Sequence, residues 1–155
     1  MFCNWNYYCD MEIVDVNILG KAISLAANAH EEQSDKGGKA YILHPIRMMM
    51  RLRTDDEELM AIAILHDIVE DTHITFEDLR VYFSERVVAG VRALTCVEGE
   101  SYDDFIKRCA INPDAKIVKR EDLRDNSDIT RLKGLRQKDF ERLEKYSKAF
   151  MYLSD

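Results

Sequence analysis

The chain is short of the residues that punctuate irregular or cross-linked folds. Its 155 residues include two prolines, six glycines and four cysteines. That scarcity, in a composition 46% apolar and 33% charged, excludes collagen-like, low-complexity and disulfide-scaffold classes. Cys3, Cys9, Cys96 and Cys109 show no CxxC spacing, which suits reduced thiols better than a zinc site or a bridge framework. No apolar run is long enough to span a bilayer, and the start MFCNWNYYCDM lacks the positive and apolar regions of a secretory leader, so the expected location is cytoplasmic, with no membrane partner. Positive charge is lacking too: 22 Lys and Arg against 29 Asp and Glu leave a net −7. A net-acidic chain without a long basic stripe is a poor match for a nucleic-acid polymer. A domain of this length buries roughly 70% of its unfolded surface, so it needs no metal staple and any metal is expected to be functional.

What is present is helical periodicity. Residues 1–11, with Phe2, Trp5, Tyr7 and Tyr8, read as a tail lying on the fold, and 12–155 as one domain. Val16, Leu19, Ile23, Ala26 and His30 recur at three- and four-residue steps, predicting a first helix that ends near the DKGGK loop at 35–39. Pro45 suits a helix first turn, with Ile46, Met49, Met50 and Arg53 continuing that helix. A third helix is expected from Asp56 to Val69, with Leu59, Ile62, Ala63 and His66 on one face. Thr75 before Glu77 and Asp78 reads as an N-cap opening a helix through Phe83. Further helices are expected over 84–95, from Ser101 through Ala110, from Pro113 through Leu123, and from Lys138 to Leu153. No segment alternates with period two, so the predicted fold is all-α, a single-domain helical bundle. Such bundles build sites from inward-pointing side chains on several helices.

Chemistry concentrates in ILHDIVEDT, residues 64–72. His66 and Asp67 are followed at i+4 by Glu70 and Asp71, crowding four ionisable groups at one helix end. Packed together without a counter-charge the three acids would repel, and a divalent cation resolves that conflict. A solvent-facing helix end with His66 in the core fits the spacing equally well. Two other positions add to the inventory: His44, before Pro45 at a helix start, and Asp122, on a helix whose apolar face carries Ile117, Val118 and Leu123. Two histidines and two aspartates offer mixed nitrogen and oxygen ligation, suited to Mn²⁺, Fe²⁺, Co²⁺ or Zn²⁺ more than to Mg²⁺ or Ca²⁺.

Taken in order, AHEEQSDKGGKAYILHP, ILHDIVEDT and VKREDLRDN resemble the HD-domain phosphohydrolases, specifically the hydrolase domain of RelA/SpoT proteins and their small single-domain relatives. The resemblance runs over about residues 12–150. It implies an HD-type bundle holding Mn²⁺ through His44, His66, Asp67 and Asp122, with Glu70 positioning the attacking water and Asp71 serving the leaving oxygen. It implies metal-assisted hydrolysis, in which a cation acidifies a bound water and offsets phosphoryl charge. The substrate implied is a small nucleotide, guanosine 3′,5′-bis(diphosphate) (ppGpp), losing pyrophosphate from the 3′ position, as in the stringent response. Lys36, Tyr41 and Asn126 match positions lining the family's nucleotide pocket, and Arg131 belongs to a stretch, 116–136, with three more basic than acidic residues.

Three positions depart from the family pattern. Asp35 stands where the family has the arginine of an Arg-Lys pair, Asp125 precedes Asn126 where Tyr or His is frequent, and Asp128 replaces a frequent arginine. Phosphohydrolysis of another nucleotide or dinucleotide, and a non-catalytic nucleotide-binding regulatory module, therefore stay open alternatives. A homo-oligomer is equally compatible with the sequence. His30 is expected to pack behind the site, His73 to be exposed, and Met48, Met49 and Met50 to fill core or interface.

Overall fold

The structure, a computed structural model, describes residues 17–155; the aromatic tail, Val16 and the first two cysteines lie outside the described residues. Among the described residues nine α-helices and one 3₁₀ turn follow in chain order: α1 (Ile18–Ala29), α2 (Leu43–Leu52), α3 (Glu57–Leu65), α4 (Ile68–Asp71), α5 (Phe76–Arg80), α6 (Glu85–Leu94), α7 (Tyr102–Ile111), α8 (Pro113–Asn126), the turn Ile129–Arg131, and α9 (Gln137–Tyr152). Among the described residues there is no β-sheet, only an isolated bridge between Ser34 and Ala40. The all-α expectation holds. No helix here is long and apolar enough to cross a membrane.

Polar caps fix several of the helix starts. Asn17, Asp56, Ser84, Ser101 and Asn112 each accept a backbone N–H of the first turn, and Thr75 forms a reciprocal capping box with Asp78. Each such cap is worth about 1 kcal/mol against alanine.

Helix α3 is the axle, packed against α1, α2, α6 and α8. The sequence pattern predicted one buried face, but Leu59 and every residue from Ala61 to Leu65 are buried. A helix apolar on all sides belongs in the middle of a bundle. Gly90 on α6 lets α3 come close: a Cβ there would fall 2.6 Å from Ile62 Cδ1. On α2 the core residue is Met48, while Met50 is exposed, because the inward row of that helix runs through His44 and Met48. Arg53 does not continue α2 but caps it in the left-handed region, φ 49°.

The expected third helix is broken. It ends at Leu65, and Asp67, at φ −105° and ψ 0°, caps the separate short helix α4. His66 closes the first segment by donating from Nδ1 to the Ala63 carbonyl, 2.9 Å away, which satisfies one of the acceptors that a helix end leaves unpaired. The break redirects the chain so that Asp67, Glu70 and Asp71 all reach the cavity described below.

Candidate active site

The site forms where the start of α2, the end of α3 and the last turns of α8 converge. His44 Nε2 lies 3.3 Å from Asp122 Oδ1, and His66 Nε2 lies 3.9 Å from the same oxygen and 2.9 Å from Asp67 Oδ2. Ligand atoms of His44, His66 and Asp122 all lie within 4.8 Å of one another, and all three residues are buried.

The protonation pattern tests whether a cation fits. His44 donates from Nδ1 to Asp125 Oδ2 at 2.8 Å, and His66 donates from Nδ1 to a backbone carbonyl. Both rings therefore turn Nε2 toward the cluster, the orientation in which an outer partner at Nδ1 aims a ring at a metal; with no cation bound, the proton that Asp122 and Asp125 favour on His44 occupies that Nε2. His66 Nε2 is buried with no hydrogen-bond partner among the described residues, although the Asp67 carboxylate is adjacent. Buried imidazole nitrogens facing carboxylates call for a positive centre between them, a proton or a metal ion. The convergent set is two imidazoles and the Asp122 carboxylate, with the Asp67 carboxylate beside His66 but outside that group, and such mixed nitrogen and oxygen donors fit a divalent transition metal.

The electrostatics agree. Burial alone would lower His44, but the Asp122 and Asp125 carboxylates hold its imidazolium to about 9. Burial opposes ionisation of Asp67 as well, yet the adjoining His66 keeps its carboxyl down to about 2. Against the same burial, Asp122 is held below the usual carboxylate range, chiefly by Lys119, whose Nζ is 2.7 Å from its Oδ2. The other Asp122 oxygen accepts from the Asn126 amide, and the Tyr41 hydroxyl donates to Asp67. Tyr41 and Asn126, read from sequence as nucleotide contacts, thus also orient the acidic candidates.

Both proton-handling candidates face the same cavity, about 410 Å³ in volume, which Lys36, Tyr41, Asn126 and Arg131 also line. Glu70 accepts the Cys96 backbone N–H through Oε2 at 3.0 Å, which steers its carboxylate. Asp71 is raised by burial and then by the Asp67 and Glu70 charges. His30 is buried behind the site, bonded to Gln33, with its ring 4.6 Å from the Tyr41 ring at a 40° tilt, and Gln33 in turn donates to the Asp71 carbonyl. His73 is exposed. Cys96 and Cys109 are free thiols.

Sequence reasoning missed the cluster around Asp125. This carboxylate is fully buried and accepts from His44, from Arg47 at 2.9 Å, from Arg51 at 2.8 Å and from Arg131. Its place was readable in principle, since Asp122 and Asp125 are one i,i+3 step apart on α8, and His44, Arg47 and Arg51 follow at i+3 and i+7 on α2. Asp35 was read as an anion standing in a cationic recognition position. Instead its Oδ1 accepts the N–H groups of Gly37 and Lys39, and its Oδ2 accepts from Arg131 at 2.9 Å. The loop lies so close to the 3₁₀ turn that a Cβ on Gly37 would meet the Arg131 carbonyl at 2.7 Å, and Gly38 takes a positive φ of 82°. Asp128 caps that turn through the Thr130 N–H. Asp35 and Asp125 are thus partners of the basic residues beside them, and Asp128 is a turn cap.

An all-helical bundle with a His/Asp cluster at the joint of three helices defines a class of metal-site proteins, and comparison with known proteins narrows it. The HD domain family model matches residues 22–141. The chain belongs to the HD domain family. It is similar to the guanosine-3′,5′-bis(diphosphate) 3′-pyrophosphohydrolase of Aquifex aeolicus, 33% identical over 116 residues, which are 68% of this chain and 17% of that protein. It is similar also to the bifunctional (p)ppGpp synthase/hydrolase SpoT of Escherichia coli K12, 37% identical over 92 residues, 57% of this chain and 12% of that protein. The chain thus spans less than a fifth of the length of these relatives. Among solved structures it superposes on a metazoan ortholog of SpoT described as hydrolysing ppGpp, with a TM-score of 0.73, 25% identity, and coverage of 88% of this chain and 84% of that one.

Proposed function

We propose that this protein is a metal-dependent phosphohydrolase that removes pyrophosphate from the 3′ position of ppGpp. The observation that carries this reading is the pair of imidazoles locked by Nδ1 donation, with both Nε2 atoms turned onto the Asp67 and Asp122 carboxylates beneath an open cavity. The names of the relatives support the substrate, and so does the solved neighbour, which matches nearly the whole of its own length.

His44, His66, Asp67 and Asp122 would hold the cation, with Mn²⁺ the expected species. When bound, it supplies Lewis-acid stabilisation of phosphoryl charge and acidification of water. The rest of the chemistry falls to side chains. Glu70, with Oε2 on the Cys96 N–H, turns its other oxygen to an incoming water and takes its proton as phosphorus is attacked. Asp71, raised by burial and by its acidic neighbours, is placed to return a proton to the departing 3′ oxygen. Lys36 and Arg131 bring positive charge to the cavity wall, while Tyr41 and Asn126 hold the acidic candidates in orientation. The compensated state of Asp35 and Asp125 favours catalysis over the non-catalytic alternative, because neither carboxylate presents an unpaired charge to an anionic substrate.

Assaying release of pyrophosphate and of phosphate over a nucleotide panel with Mn²⁺ tests the proposal. Pyrophosphate from ppGpp is expected. Turnover of another nucleotide with ppGpp untouched would redirect the substrate, and tight binding without turnover would reduce the protein to a regulatory module.

A further inference from the structure

A second cavity, about 550 Å³ in volume, opens beside the first and shares Lys36, Leu132 and Arg142 with it. Its electrostatic character is the reverse. The walls of the first cavity carry six carboxylates, whereas the second is lined by Lys36, Lys133, Arg136, Lys138 and Arg142 against a single acid, Asp139. Asp139 is already engaged within the start of α9: one oxygen accepts the Arg136 backbone N–H at 2.9 Å, and the other meets Arg142 at 3.0 Å. Among the described residues no carboxylate pairs with the side chains of Lys36, Lys133, Arg136 or Lys138. Burial and then the Arg142 charge lower the Lys36 ammonium from its ordinary value, and the Asp139 and Asp122 charges offset this only in part.

This charge arrangement differs from that around Asp125, where three arginines converge on an internal carboxylate. The second cavity gathers cations and leaves them facing solvent. Its walls are also braced: the 35–39 loop is clamped to the 129–131 turn by Asp35 and Arg131. Together the two cavities make one trough with an acidic end, suited to a metal and the phosphate it activates, and a basic end suited to a further anion.

We propose that the basic cavity is a second phosphate subsite, in which Lys133, Arg136 and Lys138 take the diphosphate that is not cleaved and so select nucleotides phosphorylated at both ends. The proposal rests on the hydrolase reading for the orientation of the substrate, with the scissile diphosphate at the acidic end. Lysines and arginines serve this purpose well: charge-assisted bonds to phosphate are short and strong, and contacts at an open cavity weaken with salt.

The test compares the wild-type protein with the triple variant Lys133→Ala/Arg136→Ala/Lys138→Ala. The three residues are exposed, which makes the variant compatible with folding. With Mn²⁺ and ppGpp, KM is expected to rise about tenfold or more, and with guanosine 3′-diphosphate, which lacks the 5′ phosphates, by less than about twofold. The charge-preserving variant Lys133→Arg/Arg136→Lys/Lys138→Arg should recover most of the loss. An equal change in KM for the two nucleotides, or none, would overturn the subsite. Titration with inorganic pyrophosphate in metal-free buffer decides the matter independently of turnover: binding about tenfold weaker in the triple variant supports the cavity, and equal binding overturns it. If the wild type hydrolyses neither nucleotide, the hydrolase reading fails while the pyrophosphate titration still judges the subsite.

Discussion

Two ion clusters in this molecule are opposites in charge. On the surface, the single cation Arg86 of α6 is ringed by three carboxylates, Asp56 at 2.7 Å, Glu58 at 3.2 Å and Asp114 at 2.8 Å, which ties the starts of α3 and α8 to α6. In the interior, the single carboxylate Asp125 is ringed by three arginines and His44. Arg86 keeps 42% of its side chain exposed and Asp125 keeps none. Water and salt can replace a lost partner in the first cluster, whereas in the second the His44 ring and most of the Arg131 guanidinium are shielded from both. The surface cluster is a brace, whereas the buried one also sets the tautomer of a candidate metal ligand.

The strongest test of that contrast is Asp125→Ala. Stranding the buried His44 imidazole, with three guanidiniums that keep some access to water, is expected to cost about 3 kcal/mol in urea unfolding. The milder Asp125→Asn, by loosening the His44 ring, is expected to weaken Mn²⁺ binding in a calorimetric titration by about 10- to 100-fold. If Asp125→Ala costs no more than Arg86→Ala, the contrast collapses. Glu70→Gln separates catalysis from both clusters. Glutamine can still accept the Cys96 N–H, so metal content and the unfolding midpoint should hold while turnover drops about 100-fold. Unchanged turnover would remove Glu70 from the mechanism.

Acid sharpens the comparison further. Burial alone would raise the Asp125 carboxyl, but hydrogen bonds from His44 and Arg47 hold it below the usual carboxylate range. A depressed carboxylate contributes stability that is complete above its unfolded pKa, near 3.9, and is lost as pH falls through its lower folded value. Urea unfolding at pH 6 and pH 3 should therefore show a larger loss for the wild type than for Asp125→Asn. A pH dependence identical in the two would disprove the linkage. The smallest effect belongs to Arg86→Ala, below about 1 kcal/mol and shrinking as salt is added. A larger, salt-independent loss would mean that the surface brace is not solvent-screened after all.

Much of the helical organisation is legible in periodicity because each amphipathic helix meets the core along one stripe. Thr75 with Asp78, Ser101, and Pro113 at the start of α8 mark their helices from local chemistry alone. Periodicity failed where burial is not one-sided. The seven consecutive apolar residues of LMAIAIL do carry the signal that α3 is surrounded, which a one-face pattern leaves unused, and Met50, apolar in type, faces outward because its row on α2 points away from α3 and α8. The break after Leu65 was hidden, since it depends on the His66 ring taking the Ala63 carbonyl.

By itself, then, the order of residues determined an all-helical chain, a crowd of ionisable groups over 66–71, and two further candidates at His44 and Asp122, because spacing and side-chain chemistry are local properties. Tertiary structure decided what those groups face. Only packing α2 against α8 brings the Asp125 carboxylate to His44 Nδ1 across 81 residues of chain, and only docking the 35–39 loop against the 129–131 turn makes Asp35 a partner of Arg131 rather than a free anion. Charge has a sign in the sequence, but it acquires a consequence when folding fixes its distance from other charges and from water.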